Sequence, residues 1–193
     1  MYIANGMYED ASAFFQKAKE CIEKFRDMKK GRAKNFWRSL HAAALEGLAT
    51  CSMKQKKADY QAAVQYARPA CDDHKFLIEA GWDVNKGENT LTMFEDRLMV
   101  CESLDKLGKA KEALAELDAI DTSSIRKSAQ GASLTASMLA KKADLIERLG
   151  MKPQEYLPVY DEAYGLMKNS IGDSPTLKKL GDLIARKKKA LSS

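Results

Sequence analysis

A short spacing pattern recurs along this chain, and it restricts the fold more than any other feature. Its clearest copy is Gly6-Met7-Tyr8-Glu9-Asp10-Ala11-Ser12-Ala13-Phe14-Phe15-Gln16-Lys17-Ala18. Tyr8 is followed at +3 by Ala11, and Ala11 at +4 and +7 by Phe15 and Ala18. The same steps join Tyr60 to Ala63, Ala67 and Ala70, and Ala110 to Ala113, Leu117 and Ile120. A weaker copy begins at Gly150 and runs through Tyr156, Tyr160 and Ala163. On a helix these steps fall on one face, and a small residue there lets a second helix come close. The chain is therefore expected to be a helical repeat protein.

The motif Gly6-x-Tyr8-x-x-Ala11-x-x-x-Phe15-x-x-Ala18, preceded by Tyr2, resembles the end of the first helix and the whole second helix of a tetratricopeptide repeat. That repeat has a period of about 34 residues. Here Ala11, Ala63 and Ala113 are spaced by 52 and 50 residues, so the helices or connections are longer. The resemblance implies antiparallel helix-turn-helix repeats stacked as a right-handed α-solenoid, all-α and in a single domain. Its units would span residues 1–32, 33–81, 91–124 and 131–170, closed by a capping helix at 174–191. Residues 1–5 read as the tail of a helix whose beginning is missing. Tyr8, Phe15 and Ile22 would then lack their cover, as in a piece of a longer array or an edge packed on another subunit.

Composition agrees with an all-helical reading. Gly and Pro number only 11 and 4, which suits long helices joined by short turns. No apolar run approaches the roughly 20 residues a membrane span needs, and the first residues lack a signal peptide's organisation. Cys21, Cys51, Cys71 and Cys101 are far apart, with no C-x-x-C pair; they read as small buried hydrophobes in a reducing cytoplasmic or nuclear compartment. The net charge of +5 would suit nucleic acid, membrane surface or solubility equally.

The helices themselves follow from periodicity and punctuation. One is expected from Glu9 to Met28. A second, from Ala33 to Met53, would bury Phe36 and Trp37, with Gly47 permitting close approach. Asp59 is an N-cap for the third, which Pro69 should kink or end. Residues 82–90 read as the clearest long loop, with Trp82 as a partner contact or an anchor to the core. Leu91–Leu107 and Lys109–Ile120 flank the turn at Gly108, and Ala132–Leu149 follows. Pro153 opens the next helix, which Pro158 should delay or bend. Ser174-Pro175 is a cap and first-turn proline for a final amphipathic helix.

Catalytic constellations are missing from the sequence. No phosphate-binding glycine loop, H-E-x-x-H or G-x-S-x-G is present, and His41 and His74 stand far apart. No enzyme, cofactor or metal site is expected on these grounds. The tetratricopeptide resemblance implies that first helices of each repeat line a concave groove. That assigns partner contacts to Glu95, Glu102, Asp105 and Lys106 in the third unit, and to Asp144, Glu147 and Arg148 in the fourth. The groove would be acidic on balance and would take a basic or amphipathic peptide; the carboxylate clamp of chaperone-tail receptors is not reproduced. The leading expectation is a non-catalytic interaction scaffold within a multi-subunit complex. The alternative is an RNA-binding subunit of a ribonucleoprotein. Residues 17–38 hold nine Lys/Arg against three Asp/Glu. Lys29, Lys30, Arg32, Lys34, Lys54, Lys56 and Lys57 would form its basic surface.

Overall fold

The structure is a computed structural model that describes residues 6–26, 31–82, 87–172 and 174–190. All regular structure among these residues is helical: α1 (Tyr8–Glu23), α2 (Arg32–Lys54), α3 (Tyr60–Glu79), α4 (Glu88–Lys106), α5 (Ala110–Asp118), α6 (Ala129–Arg148), α7 (Pro153–Ile171) and α8 (Pro175–Ala190). No helix among the described residues is long and apolar enough to cross a membrane. The expectations placed on Tyr2, Lys29, Lys30 and residues 83–86 lie outside the described residues; α1 stops at Glu23, short of the end expected at Met28, and residues 88–90, expected in the loop, open α4.

The chain forms two compact units, residues 1–112 and 113–193. In the first, α1 packs on α2, α2 on α3 and α3 on α4. The connection between α2 and α3, residues 55–59, can reach at most about 18 Å, too short to run back along a helix of roughly 30 Å. Those two helices are therefore antiparallel. Ala11, Leu45, Leu48, Ala63, Leu77, Val100 and Leu104 are buried in this unit. Close approach of α1 to α2 depends on Gly47: a Cβ there would stand 2.5 Å from the Phe15 ring.

In the second unit α6 packs on α7 and α7 on α8. Ala136, Ile146, Tyr156, Tyr160, Met167 and Leu177 belong to one apolar cluster. Local chemistry sets the helix ends. The Asp59 side chain accepts the Ala62 N–H at 2.9 Å, Ser128 accepts that of Gly131 at 3.0 Å, and Ser174 that of Leu177 at 3.1 Å. Gly108 takes φ of 76°, so the Lys109 N–H turns back to the Leu104 carbonyl and α4 stops.

Neither proline ends or delays its helix. Helix α3 runs through Pro69, and α7 runs through Pro158. Each proline deprives the carbonyl four residues earlier of its partner, and those residues, Gln65 and Gln154, are exposed, so water can serve that oxygen. The cysteine expectation holds in part: Cys51 and Cys101 are buried, Cys71 is half-buried, and Cys21 is exposed. Phe36 is likewise not core, being 60 % exposed beside buried Trp37.

Candidate functional site

The residues assigned from the sequence fall into separate groups. Glu95, Glu102, Asp105 and Lys106 all lie on α4 of the first unit, with Glu95, Glu102 and Lys106 exposed and Asp105 half-buried. Glu95 stands near enough to Glu46 that partial burial, together with that charge, raises its carboxyl above the ordinary range. Asp144, Glu147 and Arg148 lie on α6 of the second unit. There Arg148 pairs with Asp144 at 3.0 Å within α6, and Glu147 accepts from Lys187, which ties α6 to α8. The basic residues divide as well. Arg32 and Lys34 are exposed at the start of α2, whereas Lys54, Lys56 and Lys57 lie at or beyond its end, about 33 Å away along the axis. Lys34 sits 4.5 Å above the Phe76 ring.

Two other features of the first unit concentrate chemistry, and neither was assigned from the sequence. The first is a groove of about 470 Å³ between α1 and the start of α2, lined by Cys21, Ile22, Phe25, Phe36, Trp37 and Leu40. Phe25, Phe36 and Leu40 are 55, 60 and 42 % exposed, and Phe14, 61 % exposed, continues the apolar face along α1. A helical surface this apolar and this open is unusual, because burying one such side chain is worth about 1.5–3 kcal/mol. The groove floor is rigid: Trp37 stacks on His41 at 4.7 Å and its indole N–H donates to the Ile22 carbonyl at 2.7 Å. Among the described residues, helical spacing sets three cations beside it. Lys17 of α1 and Lys24, just past its end, lie one turn to either side of Cys21, and Arg32 lies one turn before Phe36. All three are exposed and none has an ion pair among the described residues. Asp10 stands at the far end, one turn before Phe14.

The second feature is the polar seam of α2, α3 and α4. Adjacent residues Asp73 and His74 of α3 both turn inward. Asp73, 1 % exposed, accepts from Arg38 Nη1 and from His41 Nδ1, the latter at 2.6 Å. His74 meets Glu46 of α2 through Nε2, and Asp96 Oδ2 of α4 lies 3.9 Å from that same nitrogen. Burial works against the His74 imidazolium, but the Glu46 hydrogen bond and the charges of Glu46 and Asp96 outweigh it and raise its pKa. Asp96 is 1 % exposed; burial first, then the Glu46 charge, push its carboxyl up to about 8. A sequence signal for these groups did exist. Asp73 falls between Ala70 and Leu77, and Asp96 one turn before Val100, on faces that are otherwise apolar. An acid at a core position asks for a partner.

In the second unit, a polar cleft near Thr135 and Met138 is lined by Arg126, Glu162, Lys142 and Asp118. Those charges pair with one another, at 2.7 Å in each case. Comparison of the chain with protein-family models, curated proteins and solved structures finds no match.

Proposed function

We propose that this protein is a non-catalytic interaction scaffold of the tetratricopeptide-like class, a right-handed α-solenoid working within a larger complex. Its docking site is the α1–α2 groove, and the occupant is an amphipathic helix of a partner protein that carries Asp and Glu beside its apolar stripe. The observation that carries this reading is the exposed Phe25–Phe36–Leu40 surface with Lys17, Lys24 and Arg32 at its border. Such a groove receives i, i+3, i+4, i+7 apolar anchors, and the three cations at its border select acidic flanks. Burial of the anchor alanines Ala11, Ala63 and Ala113 supports the repeat assignment. The four free thiols fit a reducing, cytoplasmic or nuclear, compartment.

The test uses two labelled 18-residue peptides with the same leucine stripe, one flanked by Glu and one by Lys, in fluorescence anisotropy. The Glu peptide is expected to bind, the Lys peptide at least ~10-fold more weakly, and Phe36→Asp and Leu40→Asp to abolish the preference by removing its apolar anchor. Lys54→Glu, at the other end of α2, should leave binding unchanged. Failure of both peptides, or equal binding by the Asp variants, overturns the reading. Tight binding of single-stranded RNA that weakens steeply with salt and depends on Lys54, Lys56 and Lys57 replaces it with the ribonucleoprotein alternative. A dimer in light scattering that Phe36→Asp dissolves would assign the groove to a second copy instead.

A further inference from the structure

We propose that Glu46, His74 and Asp96 form a binding site for one divalent transition-metal ion of the zinc class, tying α2, α3 and α4 together. The inference stands apart from the docking groove and uses none of its residues.

The ligand atoms of these three side chains all lie within 4.8 Å of one another. They come from three different helices, so the convergence is a product of packing rather than of neighbouring positions in sequence. The donor set, one imidazole nitrogen and two carboxylates, is one that zinc takes with a fourth position left for solvent. Helix positions hold all three residues, and rigid elements make more exact sites than loops.

The hydrogen bonding of His74 turns the right nitrogen toward the two carboxylates. Asn89 Nδ2 donates to the Trp82 carbonyl at 2.7 Å; a carbonyl can only accept, so this contact fixes which way the amide faces. Asn89 therefore presents Oδ1 to His74 Nδ1, at 3.2 Å, and Nδ1 must carry the proton. Once Nε2 gives up the proton it shares with Glu46, its lone pair points at Glu46 and Asp96. An amide or carbonyl that holds the far ring nitrogen in this way is the usual outer support of a metal-bound histidine.

Asp96 supplies the independent observation. Its side chain is 1 % exposed, and neither carboxylate oxygen has a hydrogen-bond partner among the described residues. A buried acid with two unserved oxygens beside an imidazole is costly as a hydrogen-bonding arrangement, and a cation at the centre of the cluster satisfies it directly. Seating the ion requires the present His74–Glu46 contact to open until both atoms stand about 2.0–2.1 Å from the metal, hence about 3.3 Å apart. Glu46 can make that adjustment, because its side chain is 26 % exposed and it is the member of the cluster nearest solvent. Asp73 and His41, one residue and one turn away, are already committed to each other and do not compete.

The test is calorimetric titration of the full chain, stripped with EDTA, using Zn²⁺, with Mg²⁺ and Ca²⁺ in parallel. One Zn²⁺ per chain is expected, with no binding of the two harder cations at the same concentrations, since those ask for six or more oxygen ligands. The Co²⁺ form should show the intense visible absorption of a four-coordinate site. Asp96→Asn and His74→Gln are expected to weaken Zn²⁺ binding at least ~100-fold, and Asn89→Ala by about 10–100-fold through loss of the ring support. Thermal melts of each chelated variant establish that it is folded; Asp96→Asn removes a buried acid without changing its shape, so it is the decisive one. Cys21→Ser controls for the exposed thiol and should bind as the parent does. Two results overturn the proposal: no Zn²⁺ uptake at about 100 μM, or uptake that survives both Asp96→Asn and His74→Gln, which would mark adventitious binding elsewhere.

Discussion

Asp73 and Asp96 are the same residue type at the same burial, 1 % exposed, yet their surroundings are opposite. Asp73 is served by Arg38 and His41, whereas neither Asp96 oxygen has a hydrogen-bond partner among the described residues. The same substitution should therefore change stability in opposite directions in metal-free protein. Asp73→Asn removes the charge that Arg38 and His41 share, and it should cost about 2 kcal/mol, held below the fully buried case by the partial exposure of Arg38. Asp96→Asn should stabilise. The Asp96 pKa is raised from 3.8 to about 8, so the unfolded chain releases this proton first, and the contribution of Asp96 to stability falls as pH climbs from about 4 to about 8. The gain from Asp96→Asn should be small at pH 4 and reach about 1–3 kcal/mol at pH 8. Urea denaturation in EDTA at these two pH values measures both variants; a loss of stability in Asp96→Asn at pH 8 would contradict this account.

At the scale of the helices, one connection depends on a single missing side chain. Residues 119–128 lead into α6, where Gly131 faces the Ile125 carbonyl; a Cβ on Gly131 would stand 2.0 Å from that oxygen. Both atoms are backbone-bound, so no rotamer change relieves the clash. Gly131→Ala should lower stability by about 1–3 kcal/mol despite alanine's better helix propensity, seen as a fall in Tm by circular dichroism. Helix α2 shows the converse arrangement. Over 23 residues it offers one face to α1, through Gly47 and Trp37, and another to α3, through Arg38 and His41. It is the element on which both the groove and the polar seam are built.

For the molecule as a whole, each unit is assembled from helices packed on their neighbours in sequence, which makes its contacts local and its core self-contained. The second unit has its own cluster around Tyr156, Tyr160 and Met167, with α8 closing it through Leu177, Leu180 and Ile184. Residues 113–193 alone should therefore give a helical protein with a cooperative thermal transition; a broad, non-cooperative melt would show that this core is insufficient. In the first unit, Zn²⁺ should slow amide exchange in α2, α3 and α4, the three helices that its ligands come from.

Helix content, most helix ends and the buried alanines were determined by the sequence alone, because each depends on contacts within a few residues. Asp59, Ser174 and Gly108 act on their own turns, and Ala11, Ala63 and Ala113 follow a helical period wherever the helix is placed. That neither proline ends its helix has a related reason: the missing hydrogen bond is local, but whether water can replace it depends on which way Gln65 and Gln154 face. What only the tertiary structure decided is the meeting of side chains from different helices. Phe36 and Trp37 are adjacent and equally apolar, yet rotation of α2 against α1 exposes one and buries the other. His41 and His74, set apart in sequence with nothing to mark a site, each reach a buried carboxylate because α2, α3 and α4 pack in sequence order at a particular rotation. Periodicity states which face of a helix is apolar, whereas the partner of a polar residue within that face is set by how neighbouring helices rotate and slide to fill space.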